Sequence, residues 1–190
     1  MKKEFSIEDL QLSGAKVITP FYVDDNRGYF LKSIERDIYK NWGLDVDIYE
    51  DFESYSKKDV IRGLHFQTKN PQIKLVRAIK GEIRDIIVDL RKNSSTFGQY
   101  AEVILTEENH KSLWVPKGFA HGFEVLSEEA IMSYKCVGKY LAGYDTGIIW
   151  NDKELDITWN TKKPIISERD ALLMSFKEFR FKFGGLEIEE

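Results

Sequence analysis

The segment Ile61-Arg62-Gly63-Leu64-His65-Phe66-Gln67 sets an arginine and a histidine into a short apolar run, in a chain with 3 histidines. A histidine in an apolar strand is ordinarily a packed core residue. Its neighbours argue for more. "KLVR" follows with Lys74 and Arg77, "PKGFAHGF" carries His121 between two glycine-containing turns, and "SYKC" supplies Tyr134 and Lys135. A strand-built wall that collects His, Lys, Arg and Tyr describes a pocket for an anionic, oxygen-rich ligand. The chemistry that suits it is proton transfer beside a carbonyl. A neutral imidazole takes the proton, and a carboxylate behind it fixes the tautomer. A tyrosine returns a proton from the other side, and a lysine steadies the enolate oxygen. All the components are present, but the sequence does not show that they meet.

Other chemistries fit less well. A metal-binding barrel usually offers two histidines one residue apart plus a carboxylate, and here that slot reads His65-Phe66-Gln67. His110 falls in a polar turn and is expected to be solvated. No metal site and no cofactor are expected. No serine sits in a nucleophile elbow. Cys136, the single cysteine, excludes an internal disulfide. On ideal alternation it shares a strand face with Tyr134 and Met132, which reads as a packed, inert thiol.

Short strands must position these residues. Segments 74–80, 82–90, 100–106, 112–116 and 130–137 are rich in Val, Ile and aromatics and are separated by turn signals. That spacing suggests a sandwich or barrel. Helical periodicity appears at 34–43, closed by Gly43, and at 167–179, where Ser167 is an N-cap and Asp170 sits at the third helical position. On the residues alone, Asp170 reads as a cap favoured by the helix dipole. The tail from Gly184 is expected to be loose. The 190 residues carry no repeat and no linker, which fits one domain. Its expected parts are N-terminal strands and a helix (1–60), a strand-rich core (61–150) and a C-terminal helical segment and tail (151–190).

Hydrophobic content of 42% and a net charge of −4 describe an ordinary globular chain and argue against nucleic-acid binding. The N-terminus lacks the apolar core of a signal peptide, and no apolar run reaches the length of a membrane span. A cytoplasmic location away from membranes is expected.

The order of several blocks is informative: "NRGYF" (26–30), "RGLHFQ" (62–67), "KLVRAIKGEIRDIIVDLRKNSSTFGQY" (74–100), "LWVPKGFAHGFEVLS" (113–127), "YKCVGKYLAGYDTGIIWND" (134–152) and "IISERD" (165–170). Together they resemble the dTDP-4-dehydrorhamnose 3,5-epimerase family over about residues 17–170. The resemblance implies an all-β double-stranded β-helix, the cupin-like jelly roll, with a few short helices including one near the C-terminus. It implies a homodimer with N-terminal strand exchange. It also implies a metal-free reaction on a nucleotide-linked 4-keto-6-deoxy sugar, with C3 and C5 inverted by removing a proton and returning one from the opposite face. By motif, His65 falls on the general base, Asp170 on the carboxylate that orients it, Tyr134 on the proton donor and Lys74 on the lysine near the C4 oxygen. Arg27, Arg62, His121, Tyr140 and Asp145 match ligand-binding positions, and Arg169 is placed with them. Phe30 and Tyr140 match the nucleobase-stacking aromatics, while Asp145 stands where Glu is common. Arg62 and His65, at odd separation, reach one pocket only if the strand bulges, which Gly63 permits.

Three substrate-side positions depart from the family pattern. Lys32 stands where a carboxylate is usual, Glu50 where glutamine is usual and Phe52 where asparagine is usual. An ionised Glu50 only accepts hydrogen bonds, which suits the amino edge of cytosine better than thymine. A CDP-linked sugar is therefore one expectation. A Glu50–Lys32 pair, with two neighbours exchanged together, is the other. The leading activity is epimerisation at C3 and C5 of a dTDP-linked sugar. The alternatives are inversion at C5 alone, a keto-sugar isomerase, and a sugar-nucleotide-binding protein without catalysis.

Overall fold

The computed structural model describes residues 2–188. In chain order the N-terminal elements are β1 (Lys2–Lys3), β2 (Ser6–Asp9), β3 (Lys16–Thr19), β4 (Phe21–Asp25), β5 (Gly28–Lys32), α1 (Arg36–Asn41) and β6 (Ile48–Lys57). Then come β7 (Ile61–Gln67), β8 (Ile73–Lys80), β9 (Glu82–Asp89), β10 (Tyr100–Thr106), β11 (Ser112–Val115), β12 (Phe119–Val125) and β13 (Glu129–Val137). The chain closes with β14 (Asp145–Gly147), α2 (Glu168–Ala171) and α3 (Phe176–Phe183). The five strands expected in the middle all form, within a residue or so of their expected ends.

Two antiparallel sheets face each other in the expected jelly roll. One has 6 strands in the order β2-β3-β11-β8-β13-β6, and the other has 5 in the order β10-β9-β12-β7-β14. A 3-stranded sheet, β1-β4-β5, stands apart. Val76, Ile83, Ile87, Leu113, Phe123 and Met132 fill the space between the large sheets. On its outer face the five-stranded sheet carries Leu64, Phe66, Ile86 and Val88, covered by Leu155, Phe176 and Phe179 from the C-terminal segment. β9 is therefore covered on both faces, which explains its near-continuous apolar run. α1 packs Tyr39 against Trp114 and Leu75 on the outer face of the six-stranded sheet.

Three expectations change. The helix expected at 167–179 is two helices. Ser167 does cap the first, accepting from the Asp170 N–H at 3.0 Å. The chain then leaves helical geometry so that Met174 can bridge Ile148, and Ser175 and Glu178 begin the second helix with a reciprocal capping box. The tail is not loose within the described residues. Leu186 is buried and exchanges backbone hydrogen bonds with Leu90 and Lys92, while Glu189 and Glu190 lie outside the described residues. His110 is buried, not solvated, because its ring stacks on Tyr22 with centroids 4.2 Å apart. No helix among the described residues is long and apolar enough to cross a membrane.

Candidate active site

A cavity of about 410 Å³ opens between the two large sheets, and His65, Lys74, His121 and Tyr134 all line it. His65 and His121 come from β7 and β12 of one sheet. Lys74 and Tyr134 come from β8 and β13 of the other. The imidazoles and the phenol therefore occupy opposite walls.

The β7 wall depends on two glycines. His121 pairs with His65 and Phe123 with Arg62, so three steps along β7 oppose two along β12. This bulge turns Arg62 and His65 to the same side, and both line the cavity. Gly63 adopts φ +122°, and a Cβ there would sit 2.6 Å from the Gly122 Cα. A Cβ on Gly122 would in turn sit 2.6 Å from the Arg62 carbonyl oxygen. No side chain fits at either position. His121 accordingly lies within a buried central strand and not between two turns, since of its flanking glycines only Gly118 stands outside the strand.

Asp170 reaches the cavity from α2. One carboxylate oxygen lies 2.7 Å from His65 Nε2, and the other accepts from the Gly63 N–H at 3.1 Å. Asp170 is thus more than a favourable charge in a helix's first turn: its backbone N–H is bound by the Ser167 cap while its side chain serves β7. Burial alone would raise its pKa, but the bonds from His65 and Gly63 outweigh burial and hold it below the usual carboxylate range. An ionised carboxylate facing Nε2 favours the tautomer protonated there and leaves the Nδ1 lone pair unprotonated. Among the described residues no other group hydrogen-bonds the ring.

On the opposite wall, burial raises the Tyr134 pKa well above the ordinary phenol value, so the group remains O–H at neutral pH. Its Oη lies 3.3 Å from Ser54 Oγ. Burial pushes the Lys74 ammonium the other way, below the ordinary lysine range, while Cys136, Asp145 and Asp85 partly oppose that shift. Cys136 is packed as expected, and burial pushes its thiol up to about 11.

Sequence reasoning missed Asp85. It is fully buried on β9 and sits 2.9 Å from His121 Nε2. Burial raises its pKa, opposed by His121 and Lys74. A signal was available, because an acid at period two between Ile83 and Ile87 faces the core and a buried carboxylate needs partners.

The remaining expected residues divide. Tyr140 and Asp145 line the cavity, with Tyr140 Oη donating to Asp145 Oδ2 at 3.2 Å and Arg169 donating to the same oxygen at 2.5 Å. Arg62 is held by Ser56 Oγ at 2.9 Å and the Tyr55 carbonyl at 3.0 Å. Glu50 lines the cavity but accepts from Gln72 Nε2 at 2.7 Å, while Lys32 pairs with Glu35 at 2.6 Å. The Glu50–Lys32 pair therefore does not form within one chain. Arg27 pairs with Asp25, and Phe30 is 56% exposed. Neither they nor Lys32 line the cavity of their own chain. Arg77 and Lys135 also lie elsewhere, in a separate polar hollow with Ser33 and Asp51. Among the described residues no group of three or more His, Cys, Asp or Glu is gathered as a metal site.

Residues 9–178 match the family model for dTDP-4-dehydrorhamnose 3,5-epimerase. The chain belongs to that family. As a member it is an isomerase of the epimerase class. The enzyme of that name from Methanothermobacter thermautotrophicus is 46% identical over 170 residues, covering 88% of this chain and 92% of its own. A dTDP-6-deoxy-D-glucose-3,5-epimerase from Legionella pneumophila, solved with dTDP-4-keto-L-rhamnose, superposes with a TM-score of 0.92 at 35% identity over 98% of this chain and 100% of its own. A dTDP-4-dehydrorhamnose 3,5-epimerase from Bacillus anthracis, solved with TDP and pyrophosphate, has a TM-score of 0.88 at 40% identity over 91% of this chain and 100% of its own.

Proposed function

We propose that this epimerase inverts C3 and C5 of a dTDP-linked 4-keto-6-deoxy sugar, turning dTDP-4-dehydro-6-deoxyglucose into dTDP-4-dehydrorhamnose in the cytoplasm, with the chain acting as one domain. The observation that carries the proposal is a base backed by a carboxylate on one wall of a cavity, a phenol on the opposite wall, and a buried ammonium beside the phenol. His65 Nδ1 removes the proton from the carbon next to the ketone. The C–H pair moves into the new double bond, and the carbonyl pair moves onto oxygen. The Lys74 ammonium faces that developing negative charge in a site with little water to screen it. Tyr134 Oη–H then protonates the same carbon from the other face as the carbonyl re-forms, which inverts the centre. Its phenolate recovers a proton from solvent through the cavity that it lines, on the side away from the Phe52 ring, while the imidazolium releases one. Arg62, Tyr140, Asp145 and Arg169 bind the nucleotide and sugar around this centre.

A second copy belongs to the same proposal. β5 and β6 are outermost strands of their sheets, so each leaves one edge unpaired. Tyr29 and Phe30 on β5 and Tyr49 and Tyr55 on β6 are exposed. A homodimer that exchanges N-terminal strands covers these edges and carries Arg27, Phe30 and Lys32 to the partner's cavity, where each would meet the nucleotide. The thymidine nucleotide is preferred over cytidine because the related enzymes are named for dTDP-linked sugars and two of the solved ones hold thymidine nucleotides.

Incubation with dTDP-4-keto-6-deoxyglucose in heavy water tests the reaction. Deuterium should appear at both C3 and C5, and His65→Asn should slow labelling by ~10²–10⁴-fold, the usual worth of a general base. Label at only one of the two carbons or at neither, or a His65→Asn variant within threefold of the parent, refutes the proposal.

A further inference from the structure

Tyr134 is held mainly by another ring. Phe52 on β6 is its direct cross-strand partner, and the two rings stack with centroids 4.8 Å apart at 12°. His121 meets the tyrosine with its ring edge at 6.2 Å and 74°. Among the described residues the one hydrogen bond to the phenol, from or to Ser54 Oγ, is long at 3.3 Å. An oxygen–oxygen pair at that distance restrains weakly, whereas an offset aromatic stack restrains both ring torsions. Phe52 is itself 46% exposed at the cavity wall, and Tyr134 behind it is buried. The phenylalanine therefore stands between the phenol and solvent. An asparagine, usual here in the family pattern, offers neither a stacking face nor an apolar shield.

We propose that Phe52 is a positioning residue, clamping the Tyr134 ring where it delivers its proton and keeping water off the phenol. The proposal depends on Tyr134 being the donor. The consequence concerns partition. Once His65 has taken the substrate proton, the enolate has two fates. The imidazolium can return a proton to the original face, which re-forms the C–H bond without inversion. Alternatively, Tyr134 can protonate the opposite face, which completes epimerisation. Phe52 acts on the second fate alone, because it touches the phenol and not the His65–Asp170 pair.

The test uses the full-length protein, with Phe52→Asn and Phe52→Leu removing the stack and Phe52→Tyr retaining it. In heavy water with dTDP-4-keto-6-deoxyglucose, the ratio of deuterium exchange without inversion to inversion should rise ~10-fold or more in Phe52→Asn and Phe52→Leu, since displacing a reacting group by about 1 Å costs on the order of 10² in rate. Phe52→Tyr should restore the parental ratio to within about threefold by keeping that orientation. An ultraviolet titration without substrate, with the matching Tyr134→Phe spectra subtracted, should show the phenol ionising at lower pH in Phe52→Asn than in the parent. An unchanged ratio, or an unchanged phenol titration, overturns the proposal. If the parent itself exchanges no deuterium, the activity proposed above fails and the role of Phe52 falls with it; exchange in the parent with an unchanged ratio in Phe52→Asn overturns the role of Phe52 alone.

Discussion

Replacing Asp170 with Asn keeps the size of the side chain and an oxygen for the Gly63 N–H but removes the charge behind His65. When the imidazole accepts the substrate proton it becomes a cation, with the carboxylate 2.7 Å from Nε2. With charge centres about 4 Å apart and an effective dielectric near 20, the attraction is about 4 kcal/mol. His65 remains 28% exposed, so solvent screens part of it. Discounting by about half leaves ~2 kcal/mol available to the transition state. That corresponds to a ~30-fold loss in rate. The loss should appear in kcat with KM little changed, because the cation exists only after proton transfer has begun. Initial rates followed by proton NMR measure it, and thermal unfolding checks that the fold is intact. Adding Asp170→Asn to a His65→Asn background should cost almost nothing further, since the carboxylate acts through the imidazole. A variant within threefold of the parent, or a full additional loss on the His65→Asn background, would refute the electrostatic role assigned to Asp170.

Two more perturbations follow from buried charges. Lys74→Met should lower kcat by ~10²–10³, the scale for removing one group that stabilises an oxyanion. It should not lower the melting temperature, because an apolar side chain replaces a buried ammonium that folding disfavours. Folding holds Lys74 below the ordinary lysine range, so in the window between the folded and unfolded values the unfolded chain binds more protons. The parent should therefore gain stability relative to Lys74→Met as pH rises through that window, which melting curves across alkaline pH would show. Asp89→Asn tests the fold. Burial would raise this carboxyl, yet bonds from Arg91, Ser94 and Thr96 more than offset burial and hold it below its usual range. The stabilisation is complete above the ordinary carboxylate range and is lost as pH falls through the depressed folded value. Asp89→Asn should cost ~3–5 kcal/mol near neutrality, as breaking a buried ion pair does. The gap from the parent should narrow in denaturant titrations carried into acid.

Much of the catalytic centre could be anticipated from local sequence. The strands carrying Lys74, Tyr134 and Cys136 announce themselves because β-branched and aromatic residues alternate between turn signals, so the face of each side chain follows from counting by two. The order of the motifs around His65 and Asp170 named the family. The need for a bulge at Gly63 also follows from parity, since an odd separation cannot otherwise put Arg62 and His65 on one side. What could not be anticipated depends on contacts between segments distant in the chain. β6 is an edge strand with charged and aromatic residues on both faces, so its sequence lacks a clean alternation, and its role emerges only when Phe52 lies against Tyr134, 82 residues away in sequence (134 − 52). The break after Ala171 arises because Met174 is drawn to Ile148. His110 is buried by the Tyr22 ring and not by its own neighbours in sequence. Asp85 was hidden for the same reason: period two places its carboxylate inside, but only the packing of β12 against β9 supplies His121 to receive it. Alternation is a property of one strand and can be read along the chain. The partner of a buried charge or ring is set by which strands pair and in what register, and that depends on the packing energy of the whole core.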